Sequence, residues 1–181
     1  MFNIKIEDNL QLNYLNQKYA KEIFDLIEVN RAYLRQWLVW VDQTKQIEDT
    51  KKWIQKSLDD GAKGKALQTT IMLNDSIVGN IGFNKIDKFN KKGEIGYWLS
   101  QNQQGKGIMS KSVSALLDYG LNFLELNRIE IKCAVENNKS RAIPERLGFR
   151  LEGILKEEAW LNDRFVDHAL YSLLKSEYQD S

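Results

Sequence analysis

The chain has 181 residues, 43% of them hydrophobic and 28% charged, which is enough apolar material to bury one core of ordinary size and to read as one domain over residues 1–181. Its 26 basic and 25 acidic residues leave a net charge of +1, so no overall field draws it to nucleic acid or an anionic membrane, and any anion must be bound locally. One cysteine, Cys133, and one histidine, His168, exclude an internal disulfide and chemistry built on several Cys or His ligands. No aspartate-rich cation loop is present, so no metal is expected. No segment approaches the roughly 18 apolar residues of a membrane span. The start Met1-Phe2-Asn3-Ile4-Lys5-Ile6-Glu7-Asp8 lacks the basic opening and apolar run of a secretion signal, and a cytoplasmic location is expected.

In chain order, Leu10, Leu12 and Tyr14 alternate with polar residues and predict a strand over residues 10–15. Ala20, Ile23, Phe24, Ile27 and Arg31 recur at helical spacing. Tyr33, Leu34, Trp37 and Leu38 continue the apolar face into a second short helix. Residues 49–58 predict another helix, with Asp59-Asp60-Gly61 and Gly64 as its stop. Residues 66–73 and 77–86 form a hairpin about Asn74-Asp75-Ser76, and a third strand covers residues 94–99. A glycine loop follows, then a helix over 108–124, a strand over 128–135 and a short helix over 137–147 ending at Gly148. Two last strands flank the Asn162-Asp163 turn. The order predicts an α+β fold with a mixed sheet.

A strand that ends in a glycine loop and opens a helix aims unpaired N–H groups and the positive end of the helix dipole at one point, a natural seat for phosphate. Gly105 and Gly107 allow close approach of the backbone, while Lys106 and Lys111 add charge. A tight turn that merely starts a helix has the same pattern. The P-loop signature fails, because Gly64-Lys65 and Gly105-Lys106 are followed by alanine and glycine. The dinucleotide signature G-x-G-x-x-G is met at Gly105 and Gly107 but has Ser110 in place of its third glycine, and Glu136, which could stand for its ribose-binding acid, lies further downstream than that signature expects.

Four blocks, spread over residues 10–175, carry a resemblance to the GCN5-related N-acetyltransferase superfamily, within it the ribosomal-protein serine/alanine N-terminal acetyltransferase type. Gln104-Gly105-Lys106-Gly107-Ile108-Met109 resembles the family's [Q/R]-x-x-G-x-[G/A] loop, departing at Met109, a position used mainly for its backbone N–H. Glu94-Ile95-Gly96-Tyr97-Trp98-Leu99 resembles the strand before that loop. Asn137-Asn138-Lys139-Ser140-Arg141-Ala142 resembles the cofactor-contacting N-x-x-S-x-A segment, and Pro144-Glu145-Arg146-Leu147-Gly148-Phe149 with Leu151-Glu152-Gly153 is similar to the block after it.

The resemblance implies a mostly antiparallel central sheet with flanking helices and splayed central strands, and acetyl-CoA as the acetyl donor. The loop from Gln104 through Gly105, Lys106, Gly107 and Ile108 to Met109 then holds the pyrophosphate. Trp98, Leu99, Asn137 and Ser140 contact the pantetheine arm entering between strands 94–99 and 128–135. The acceptor it implies is an amine, a ribosomal-protein N-terminus or a smaller one, and a monomer and a homodimer both fit.

Transfer from a thioester to an amine needs a neutral amine, a stabilised oxyanion and a proton for the leaving thiolate. By resemblance Glu94 is the first candidate base. Glu158 is its rival, although the resemblance sets Ala159 at the expected place and strand neighbours face opposite sides. Both also read as solvated or ion-paired carboxylates. Ser140 is the implied acid toward sulfur and, equally, a helix N-cap. A backbone N–H near Trp98, Leu99 or Ser100 is expected to meet the oxyanion. Cys133 sits on the Ile129, Ile131, Cys133, Val135 stripe and reads as core, and His168 as structural. Trp37 and Trp40 fit an acceptor cleft or the core. Two other classes stay open at this point: a non-catalytic acyl-CoA-binding regulator and a dinucleotide-dependent oxidoreductase.

Overall fold

The computed structural model describes residues 3–179; Met1 and Phe2, part of the segment read above for a secretion signal, lie outside the described residues, as do positions 180 and 181. Eight strands form one sheet: β1 (Asn3–Glu7), β2 (Leu10–Tyr14), β3 (Leu67–Leu73), β4 (Ser76–Asp87), β5 (Lys92–Leu99), β6 (Arg128–Ala134), β7 (Arg150–Leu161) and β8 (Arg164–Leu174), in the order β1-β2-β3-β4-β5-β6-β8-β7. Every neighbouring pair is antiparallel except β5 with β6. This is the mixed, mostly antiparallel sheet expected, with β1 added to it. Ile4 and Ile6 alternate with Asn3, Lys5 and Glu7 and lean on the core from the sheet's margin.

Both predicted hairpin turns form with two left-handed residues each, Asn74 and Asp75 (φ 48° and 62°) and Asn162 and Asp163 (φ 50° and 59°). Asn and Asp tolerate this geometry, and it matches the twist of the flanking strands.

The two faces of the sheet carry separate cores. Ile71, Ile81, Phe83, Ile95, Ile131 and Tyr171 pack with Val113, Leu116 and Leu117 of α3 (Ile108–Asp118). On the opposite face Leu15, Met72, Ile77 and Trp98 pack with Ile23, Ile27 and Leu34 of α1 (Ala20–Leu34) and Ile54 of α2 (Ile47–Ala62). Alternation along the strands sorts them, Ile71 to one side and Met72 to the other. The remaining helices are α4 (Asn138–Arg146) and α5 (Lys175–Gln179).

Three expected elements change shape. No separate helix forms over residues 33–38: α1 absorbs Tyr33 and Leu34, and the chain then folds back because the Arg31 guanidinium donates to the carbonyls of Val41 and Thr44. Arg31 is thus a tether rather than part of an apolar face. Helix α2 passes Gly61 and stops at Gly64 (φ 65°), where Lys65 N–H bonds Asp60 O at 2.9 Å and Gly64 N–H bonds Gly61 O at 2.8 Å, the paired bonds of a Schellman end. Helix α3 ends at Asp118 and passes into one wide turn, Tyr119–Phe123. Gly120 is required there, since a Cβ on it would lie 2.6 Å from the Phe83 ring.

Candidate active site

Strands β5 and β6 pair only from Lys92 with Arg128 to Ile95 with Ile131. Beyond that rung β5 stays bonded to β4 as far as Leu99, and β6 stays bonded to β8 as far as Ala134. Each strand keeps its outer partner and loses its inner one, so the facing backbone groups of residues 96–99 and 132–134 are left for another partner. The closed end is stapled by buried Glu130, bonded to Arg128 at 2.8 Å and to Lys92 at 3.2 Å. The open end widens into a cleft of about 1660 Å³ that reaches the glycine loop at one end and the helical arm α1/α2 at the other.

Gly105 and Gly107 both adopt left-handed backbone (φ 73° and 76°). A Cβ on either would meet no atom within 4 Å, so conformation rather than space demands glycine. Gly107 opens α3 with no side-chain cap, which leaves the first-turn N–H groups of Ile108, Met109 and Ser110 free of any such partner. The side chains of Ile108 and Met109 are buried in the core, so the loop's departure at Met109 is absorbed by packing and leaves its backbone unobstructed. Lys111 lines the cleft with its ammonium paired to Glu7 of β1. Lys106 bonds Gln103 at 2.9 Å. Two cations missed in the sequence border the loop. Lys139 bonds Gln104 at 3.1 Å, and Arg146 bonds Ser110 at 2.8 Å. They come from α4, across the gap, and only the fold brings them there.

The N-cap of α4 is Asn137, whose Oδ1 accepts the Ser140 N–H at 3.1 Å. Ser140 is therefore in the first turn and not the cap, which frees its hydroxyl to lie 3.2 Å from Cys133 Sγ and 3.4 Å from the Tyr97 hydroxyl. Tyr97 in turn donates to the Ser140 carbonyl at 3.0 Å. Pro144 explains why that carbonyl is available, because proline has no N–H to donate four residues back. Burial, with Cys133 alongside, pushes the Tyr97 hydroxyl well above its usual pKa, so it stays a donor. Burial also raises the Cys133 thiol. Cys133 is buried, as its apolar stripe implied, yet it also lines the gap.

Glu94, Trp98 and Lys132 point to the opposite face, toward α1 and α2. Lys132 Nζ lies 3.1 Å from Glu158 Oε1 and 3.6 Å from Glu94 Oε2. A bulge between Leu155 and Ala159 brings Glu158 there: Glu157 takes a left-handed φ of 52°, which resets the phase of β7. Asp167 clamps that bulge, accepting the Glu157 N–H at 2.9 Å and the Lys156 ammonium at 2.7 Å. The register shift falls between Leu155 and Ala159, next to the two positions between which the sequence comparison wavered. Half-buried His168 borders the same cluster, its pKa lowered by burial against the opposing pull of Glu158. Trp37, Trp40 and Trp53 line the outer cleft, and Trp40 packs on Trp98 with ring centroids 6.2 Å apart.

Ser100 N–H is spent on Val78 O at 2.8 Å, which removes it as an oxyanion donor. Peptide groups alternate in direction along a strand, so the Leu99 N–H faces the gap and that of Trp98 faces β4. Among the described residues no group of three or more Cys, His, Asp or Glu is placed to hold a metal ion, and no helix is long and apolar enough to cross a membrane.

Residues 9–150 match the family described as Acetyltransferase (GNAT) domain. This chain belongs to that family. The acetyltransferase is 38% identical to the ribosomal-protein-serine acetyltransferase of Escherichia coli (strain K12), over 93% of its own length and 94% of the relative's. It is 33% identical, over 99% and 98%, to the putative ribosomal N-acetyltransferase YdaF of Bacillus subtilis (strain 168). Among solved structures it resembles RimL, a ribosomal L7/L12 α-N-protein acetyltransferase in complex with coenzyme A disulfide-linked to a cysteine, with a TM-score of 0.94 and 31% identity over 97% of this chain and 99% of that one. It also resembles the microcin C7 self-immunity acetyltransferase MccE in complex with acetyl-CoA and AMP, with a TM-score of 0.89 and 37% identity over 94% and 95%. The enzyme is an N-acetyltransferase with the fold those structures share.

Proposed function

We propose that one domain, residues 1–181, moves the acetyl group of acetyl-CoA to the α-amine of a protein N-terminus by direct attack with both substrates bound. The observation that carries this reading is the inner edge of the splayed strands leading to the uncapped start of α3. Open peptide groups at residues 96–99 match the amides of a pantetheine arm, and the N–H groups after Gly107 match a pyrophosphate. Lys106, Lys139 and Arg146 add the positive charge. Gln104 and Asn137 hold the loop and the α4 cap in place. The relatives solved with coenzyme A or acetyl-CoA support the donor, and those named for ribosomal proteins support the acceptor.

In the reaction the amine nitrogen bonds to the acetyl carbon and the thioester C–S bond breaks. The amine's proton passes to Glu94 or Glu158, and the departing thiolate takes one from the Ser140 side of the gap. Leu99 N–H meets the oxyanion. A peptide α-amine ionises near pH 8, so a modest base suffices. Trp37, Trp40 and Trp53 favour a second acceptor class, a small amine attached to a planar or apolar group; the AMP bound in MccE supports it. The lone free cysteine fits a reducing, cytoplasmic setting. Titration calorimetry with acetyl-CoA tests the reading: saturable binding supports it, and no heat at high protein concentration refutes it.

A further inference from the structure

We propose that Lys132 is a positioning residue of the transfer reaction: its ammonium ties the carboxylates of Glu94 and Glu158 together on one side of the gap and favours the neutral form of an amine bound between them. This deepens the acetyl-transfer reading and rests on it.

Lys132 is the first residue of β6 past the last rung with β5, and its backbone is fixed by pairing with Leu170 of β8. Glu94 comes from β5 and Glu158 from the bulge in β7, strands that do not touch. Two converging carboxylates repel each other, and a cation between them holds both. The three side chains are each about a third exposed, at 29%, 30% and 35%, so an incoming amine has access. The charged and titratable groups at this point are Glu94 on β5, Lys132 on β6, Glu158 on β7 and His168 on β8. Burial keeps His168 neutral at pH 7. The cluster therefore holds two negative charges and one positive, a net attraction for an ammonium.

Chemistry then requires the amine, and a fixed cation beside it penalises the ammonium form. Lys132 remains charged: burial pushes its ammonium down, and the hydrogen bond to Glu158 with the charge of Glu94 more than reverses this.

In Lys132→Met, kcat/KM for a peptide amine at pH 7 falls about ten-fold. The limb of kcat that rises with pH, which reports the bound amine, moves upward by about half a unit, the size of a partly exposed ion pair. The acetyl-CoA Kd stays at the wild-type value. Lys132→Arg returns the limb to its place and Lys132→Gln does not. An unmoved limb, or rescue by the neutral glutamine, overturns the proposal. A second readout needs no substrate: the Lys132 ammonium titration, followed by NMR, falls in Glu94→Gln and again in Glu158→Gln. No fall in either refutes the tie even if Lys132→Met does not fold. A wild-type protein inactive toward every amine would refute the acetyl-transfer reading instead, leaving the titration to decide on Lys132.

Discussion

Glu94 and Glu158 lie on one lysine, Lys132, and the proposal that they accept the amine's proton predicts that changing them alters turnover and not cofactor affinity. Glu94→Gln keeps the size of the side chain and loses the proton acceptor, so turnover should fall by at least about ten-fold while the acetyl-CoA Kd changes little. Steady-state kinetics at several pH values with calorimetry checks this, and unchanged turnover removes Glu94 from the mechanism. His168 offers an independent test. Burial lowers its pKa, so the unfolded chain takes up a proton more readily than the folded one, and stability is lost as pH falls below about 6.5 toward the folded-state value. Urea midpoints at pH 7.5 and 5.5 should therefore differ less in His168→Gln than in the wild type. Some of this scale was legible in the sequence. Gly105 and Gly107 declare their backbone through residue type alone, and Asn137 and Ser140 stood out only through the block that resembles the family's. Lys132, Tyr97, Lys139 and Arg146 carry no local signal, since their partners lie 26 to 43 residues away in the chain.

At the scale of elements, the loop before α3 makes the firmest commitment. Gly107→Ala places a Cβ in open space but at a φ of 76°, which costs about 1 kcal/mol and turns the first N–H groups of the helix away from a shared target. Acetyl-CoA should bind several-fold more weakly, with kcat less affected; an unchanged Kd places the pyrophosphate elsewhere. The same scale shows what pattern reading resolves. Asn74-Asp75 and Asn162-Asp163 sit between alternating runs, and both hairpins formed as read. The end of α1 was hidden, because the apolar residues Tyr33, Leu34, Trp37 and Leu38 keep helical spacing while Arg31 captures two distant carbonyls. The β7 bulge was hidden too, since Glu157 and Glu158 are alike as letters and only Asp167, ten residues on from Glu157, decides which one turns inward.

Taken whole, the sheet is two bonded halves that share four rungs and then part, with Tyr97, Leu99 and Cys133 on the α3/α4 face and Trp98 with the paired carboxylates on the α1/α2 face. Alternation and periodicity predict strands but not where two of them cease to pair; the splay was implied by the resemblance carried jointly by residues 94–99, 104–109, 137–142 and 144–153. The proposed reaction joins acetyl-CoA to an N-terminal amine in this cleft. Its most direct test is to incubate the protein with acetyl-CoA and a peptide carrying a free N-terminal serine or alanine, and to analyse the peptide by mass spectrometry. One acetyl group on the α-amine, with matching release of coenzyme A, is predicted; a peptide that stays unmodified while acetyl-CoA is bound and unconsumed would contradict it.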